Sequence, residues 1–214
     1  MHPRNQGVTL LEVMVVVAII GVFATLSVTS FQGMLERQRV SGAQRELVLM
    51  MQEARQKARA TRQPVRLNLR VADENDRQVT RMRWESLACS DTWGTVCPIE
   101  ACLDNRCGEG GCECPETGPE LIIPPQLDVT QLVGLCWVDA TGTQSPIVAP
   151  RSADGRPCEP SEDAPDPERL VLRRNHGTPE LPNWRPELVF QADKLTASIR
   201  SVDCDKHGST PGCQ

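Results

Sequence analysis

One carboxylate stands alone in an apolar run. From Val8 to Val28 the sequence is almost wholly apolar, and Glu12 is its single charged residue. A carboxylate in a membrane-spanning helix costs on the order of 2.5–3.5 kcal/mol at the bilayer centre and less near an end. It needs either a partner or a wet boundary. Cleavage after Gly7 would supply the partner, because it frees the amine of Val8, four residues before Glu12. The amine of one subunit could then neutralise Glu12 of a neighbour inside an apolar assembly. The alternative leaves Glu12 at the headgroup boundary with no role.

Cysteine is the second reactive residue type. The chain has 10 cysteines in 214 residues, and none precedes Cys89. Cys89, Cys97, Cys102, Cys107, Cys112 and Cys114 crowd one stretch, while Cys136, Cys158, Cys204 and Cys213 are dispersed. Cys102, Cys107, Cys112 and Cys114 could bind a metal, but their spacing is not the paired C-x₂-C form of structural zinc. Such cysteine use fits an oxidising compartment and disulfide staples for loops without a core of their own. Ten cysteines allow about 945 pairings, nine times the 105 of eight. The connectivity is therefore open, although a short Cys204–Cys213 loop is one guess.

No catalytic constellation is evident. His2 lies before the apolar run, and His176 and His207 sit in polar contexts. There is no Gly-rich phosphate loop and no zinc-protease helix. Glu159, Glu162, Asp163, Asp166 and Glu168 lack the regular spacing of a calcium loop and read as a solvated acidic segment. Arg173, Arg174 and His176 make a small basic spot on a surface. With a formal net charge of -5, the chain has no overall attraction for nucleic acid. No pattern requires a cofactor or a metal.

These residues need elements to hold them. Residues 1–7 are polar and carry Arg4, whereas about 20 apolar residues follow, long enough to cross a bilayer as a helix. The positive-inside rule keeps the basic leader cytoplasmic and sends the rest outward. An ordinary secretory signal is the competing reading, with Val22-Phe23-Ala24 as its cleavage site and Thr25 as the new terminus. That reading leaves Glu12 unexplained and cuts a continuous helical pattern in half.

The helical pattern runs on past the apolar stretch. No proline falls between Val8 and Gln63, and Val40, Ala43, Leu47, Met50, Ala54 and Ala58 recur at spacings of three and four. Arg37, Arg39, Arg45, Glu46, Glu53, Arg55, Lys57 and Arg59 fall largely elsewhere, as a solvated face. Pro64 ends the pattern. Residues 8–62 could form one helix of about 80 Å at 1.5 Å per residue.

Beyond it the periodicity changes to two. Val65, Leu67, Leu69 and Val71 alternate with Arg66, Asn68 and Arg70, which predicts a half-buried strand. Val79, Met82 and Trp84 predict a second strand. Leu127 to Val138, Arg169 to Arg174 and Glu187 to Arg200 supply further candidates. Ser86–Pro119 and Asp139–Glu168 read as long loops. The amphipathic helix face is the natural cover for an antiparallel sheet.

The run Gly7-Val8-Thr9-Leu10-Leu11-Glu12-Val13-Met14-Val15-Val16-Val17-Ala18-Ile19-Ile20-Gly21 closely resembles the class III signal of type IV prepilins and pseudopilins. The resemblance implies cleavage after Gly7 by prepilin peptidase, N-methylation of Val8, and a role for Glu12 in filament assembly. The first mature residue in that family is usually Phe, and here it is Val. A second stretch, Glu46 to Ala58 followed by Thr61-Arg62-Gln63-Pro64-Val65, resembles the minor-pilin subfamily of GspH, FimT and FimU. Together the likenesses cover about the first third of the chain.

The resemblance implies an α+β, pilin-like fold, with a long N-terminal helix packed on an antiparallel β-sheet head bearing disulfide-rich loops. Residues 1–7 would be the leader, 8–31 the transmembrane or filament-core helix, 32–63 its amphipathic half and 64–214 the head, with the cysteine-rich insertion at 86–119. It implies a structural minor pilin in the tip or priming complex of a type IV pilus, and no enzyme. Its partners would be the prepilin peptidase, the inner membrane, other minor pilins and the major pilin. The head would be periplasmic before assembly and then at the pilus tip on the cell surface. A minor pseudopilin of a type II secretion system, or a pilus-displayed DNA-binding or adhesive subunit, are the alternatives.

Overall fold

The computed structural model describes residues 9–74, 77–89, 98–139, 146–149, 158, 169–178, 180–193 and 198–213. The side chains of 24–32, 77, 138–139 and 146–149 fall outside that set. The chain forms two compact units, Met1–Ser41 and Gly42–Gln214. The predicted helix is present as α1, Leu10–Thr61. In its first part Leu10, Leu11, Val13 to Val17, Ile19, Ile20, Val22 and Phe23 are all exposed, on every side of the helix. Among the described residues no helix is long and apolar enough to cross a membrane. Of the apolar sequence from Val8 to Val28, Val8 and the side chains of residues 24–28 lie outside them.

The stripe Val40, Ala43, Leu47, Met50, Ala54 and Ala58 is buried, as its spacing predicts, and Met51 joins it. Complete burial of a Leu or Met side chain contributes about 1.5–3 kcal/mol each, so this face holds the helix far more firmly than its polar side does. Three devices end α1. The Thr61 hydroxyl donates to the Lys57 carbonyl at 2.9 Å, Arg62 takes a left-handed φ of 56°, and Pro64 follows with no N–H to continue the ladder.

Among the described residues the head has two antiparallel sheets, where the sequence predicts one. The first has the order β3-β2-β1-β5-β6, formed by Leu121–Ile123, Arg77–Ser86, Val65–Glu74, Cys136–Asp139 and Pro146–Ala149. The hairpin β1–β2 pairs without a break from Val65↔Ser86 to Glu74↔Arg77. Register places Val65 and Leu67 on one face with Trp84, Met82 and Trp137. All five are buried. Lys57 of α1 forms an ion pair with Glu116, and Glu46, Leu49 and Met50 border a groove with Pro119 and Leu121. The second half of the helix thus lies along the β3 side of this sheet.

The second sheet has the order β4-β7-β8-β9, formed by Leu127–Asp128, Leu170–Asn175, Trp184–Ala192 and Ile199–Asp203. The stretch Glu187 to Arg200, read as one candidate strand, is divided between β8 and β9. Leu195 and Ala197, whose alternation suggested it, lie outside the described residues. Between Leu172 and Arg173 the register slips, so that Leu172 faces Leu188 and Arg173 faces Pro186. Pro186 sits at a bulge, where a missing ladder donor is tolerated. One face carries Leu170, Leu172 and Phe190, all fully buried. On the other, Val171 and Val189 lie under the C-terminal turn, where a Cβ at Gly212 would come within 3.2 Å of Val189 Cγ2. Gly212 has a φ of +98°, which glycine adopts without strain.

The two predicted loops contain structure of their own. Helix α2, Glu100–Asp104, lies in the cysteine-rich insertion, and β6 lies in the proline-rich stretch. A short 3-10 turn, Thr130–Leu132, separates β4 from β5. It divides the single candidate strand read across Leu127 to Val138.

Candidate functional site

At the N-terminus, Gly7 and Val8 lie outside the described residues. Glu12 occupies the first turn of α1 and is exposed. Thr9 caps this helix: its Oγ1 accepts the Glu12 N–H at 3.3 Å, and its carbonyl accepts the Val13 N–H at 3.3 Å. Thr9-Leu10-Leu11-Glu12 thus has the spacing of a capping box, and an acid in the first turn suits the positive end of the helix. Sequence reading singled out Glu12 for its charge and missed Thr9, although the T-x-x-E signal was there.

The cysteine-rich insertion is stapled and clamped. Cys102–Cys112 and Cys107–Cys114 are disulfides within it. Cys136–Cys158 and Cys204–Cys213 are disulfides elsewhere in the head. The C-terminal pairing is the guessed one. Cys89 is also disulfide-bonded, and Cys97 lies outside the described residues. Leu87, Cys102 and Cys112 form a small buried cluster, with Ile99, Cys114 and Cys158 packed on it. Half-cystines take the place of a larger apolar core there. The sulfurs of Cys107, Cys112 and Cys114 lie within 4.8 Å of one another. As disulfide sulfurs they are not thiolates, so the oxidised protein does not offer the ligand set weighed for zinc.

The clamp is an ion pair that sequence reading did not find. Arg66 on β1 was read as the wet side of a half-buried strand, yet it is only 5% exposed. Its Nε donates to Glu85 Oε2 at 3.1 Å, its Nη1 to the Cys102 carbonyl at 2.8 Å, and its Nη2 to the Asn105 carbonyl at 3.1 Å. Glu85 is fully buried and accepts further bonds from Asn68 Nδ2 at 3.0 Å and Arg83 Nε at 2.9 Å. Every lone pair of Glu85 is engaged. The group fastens the sheet to the insertion. Beside it, hydrogen bonds to Glu74 and then Glu120 hold the Arg81 guanidinium more firmly protonated than usual. The Arg66–Glu85 pairing follows from strand register across 19 residues, and no local pattern signals it.

The basic spot read at Arg173, Arg174 and His176 is partly neutralised, because Glu187 lies 3.3 Å from Arg174 and 3.6 Å from His176. Glu159, Glu162, Asp163, Asp166 and Glu168 lie outside the described residues.

Residues 2–28 match the family described as the prokaryotic N-terminal methylation motif, the class III signal of type IV pilins. No curated protein and no solved structure matches the chain.

Proposed function

We propose that this chain, which carries the N-terminal methylation motif of type IV pilins, is a prepilin. Its leader of residues 1–7 is removed after Gly7, and the amine of Val8 is methylated. The helix from residue 8 to 31 anchors the protein in the inner membrane and later enters the filament core. Residues 32–63 continue that helix, and residues 64–214 form the periplasmic head. The role is structural: the protein is a minor pilin in the tip or priming complex of a type IV pilus, alongside other minor pilins and the major pilin. One observation carries this reading. The motif at residues 2–28 runs without interruption into a helix whose apolar side chains are exposed all round from Leu10 to Phe23. An apolar helix of that kind calls for lipid or other helices around it.

The intact mass of the protein extracted from membranes tests it. The expected chain begins at a methylated Val8. A mature chain beginning at Thr25, or one that retains residues 1–7 when the peptidase is active, overturns the reading. Deletion of the gene then tests the finer assignment. Loss of surface pili is expected, whereas loss of secreted enzymes with pili intact identifies a minor pseudopilin instead.

A further inference from the structure

The two outer edges of the β1–β2 hairpin are treated differently. The β2 edge is covered along most of its length. Thr80 to Met82 pair with β3, Gly118 donates to the Trp84 carbonyl at 2.9 Å, and Ser86 donates to the Glu116 carbonyl at 2.9 Å. Among the described residues the β1 edge is covered only at its start. Val65 and Arg66 pair with β5, and Leu67 exchanges bonds of 2.9 Å with Leu135 and Gly134. There the neighbouring chain turns away into the 3-10 turn.

Backbone groups alternate sides along a strand. Those of Leu67 point to β5, so the N–H and C=O groups of Leu69, Val71 and Asp73 point to the same edge. They have no ladder partner among the described residues. Exposed edges are usually blunted by charged side chains, proline or a bulge. The described part of β1 has no proline and its register with β2 does not shift, and its charges beyond Leu67 are Arg70, Asp73 and Glu74.

A groove of about 470 Å³ runs along this open edge. Asp104, Asn105 and Arg106 wall it on one side, and Thr130 and Val133 on the other, with Leu69, Val71 and Leu103 supplying apolar surface. Val71 is 55% exposed. The opposite face of the strand is basic. Arg66, Arg81 and Arg83 are all paired with acids, whereas Arg70 and Arg106 are exposed and have no acidic partner among the described residues. Both line one cleft over that face of the hairpin, whose wall also holds Glu85, Glu109 and Glu120; Glu85 and Glu120 are taken by Arg66, Arg83 and Arg81.

We propose that the open β1 edge accepts an extended strand from a different protein, in which small apolar residues alternate with acidic ones. Main-chain bonds to Leu69, Val71 and Asp73 would hold it. Its apolar side chains would pack on Val71 and Leu69, and its acids would face Arg70 and Arg106. A second copy of this edge fits less well. Glu74, the acid of β1 on the Arg70 face, is already bonded to Arg81 at 2.7 Å. The proposal stands apart from the prepilin reading, and its test does not depend on leader processing.

The test uses the full chain in detergent and a soluble peptide of about eight residues, a usual strand length, that alternates Val or Thr with Glu. Hydrogen exchange should slow at the Leu69 and Val71 amides when the peptide binds. A matched peptide with Lys in place of Glu should bind about tenfold more weakly. The double variant Arg70→Glu, Arg106→Glu should reverse that preference. Val71→Pro removes an edge donor but no β1–β2 ladder bond, so it should abolish binding and leave the melting temperature nearly unchanged. Three results overturn the proposal: no slowing at Leu69 and Val71 with either peptide, equal binding of both peptides, or peptide-independent slowing that rises with protein concentration. The last would assign the edge to a second copy.

Discussion

Arg66 and Glu85 stand directly across from each other on β1 and β2, buried and 3.1 Å apart from Nε to Oε2. The same arginine holds the Cys102 and Asn105 carbonyls. One side chain thus ties the sheet ladder to the cysteine-rich insertion. Removal of Glu85 leaves the Arg66 charge buried without an acid, which typically costs about 3–5 kcal/mol, whereas removal of Arg66 leaves Glu85 paired with Arg83 and bonded to Asn68. Glu85→Ala is therefore expected to lose stability on that scale and Arg66→Ala less, read from denaturant unfolding by the fluorescence of the buried Trp84 and Trp137. The double variant Arg66→Met, Glu85→Leu should recover part of the loss. A double variant no better than the worse single one would show that the carbonyl bonds of Arg66 matter more than the pair.

Glu12 is the residue on which the filament reading turns. Glu12→Ala should leave leader removal largely intact but impair incorporation into filaments, measured by immunoblot of sheared filaments against membranes. Normal incorporation would contradict the pairing of Glu12 with a neighbour's N-terminal amine. Thr9→Ala separates the two tasks of this turn. It removes the cap, worth about 1 kcal/mol, and keeps the charge, so its assembly defect should be much milder.

Gly118 has no room for a side chain. A Cβ built there would lie 2.2 Å from Trp84 Nε1. The Gly118 N–H also donates to the Trp84 carbonyl, so the backbone cannot step aside freely. Gly118→Ala should destabilise the head by about 1–3 kcal/mol, as overpacking does, with a change in tryptophan emission. An unchanged melting temperature would mean that the indole can move without cost.

Asp203 gives the C-terminal turn a pH dependence. Burial pushes its pKa up, but the Lys206 ammonium and the backbone N–H of Asp205 outweigh that and bring it below the usual 3.8. The sign follows from linkage. A depressed carboxylate pKa contributes stability that is complete above the unfolded value and is lost as pH falls through the folded value. Both partners are largely exposed, at 39% and 76%, so the effect is small. Asp203→Asn should therefore lower stability slightly at pH 6, and the difference from the parent should vanish at pH values below the folded pKa. A difference that persists at low pH would point to packing instead of charge.

Local patterns in the sequence determined much of this protein. The apolar run with its single carboxylate, the three-and-four stripe from Val40 to Ala58, and the alternation from Val65 to Val71 each depend on residues within one element. A helix or strand expresses such a period wherever it sits, and for that reason α1, β1 and the methylation motif were readable. Pro64 marked the end of α1 for an equally local cause. Only the tertiary structure decided the long-range matters. It split the described head into two sheets, chose Cys102–Cys112 and Cys107–Cys114 among the many pairings, buried Arg66 against Glu85, and left the β1 edge beyond Leu67 with no ladder partner among the described residues. Each of these rests on which distant segments meet and in what register. A one-residue slip of β2 would turn Glu85 to the other face, and nothing within either strand alone fixes that choice.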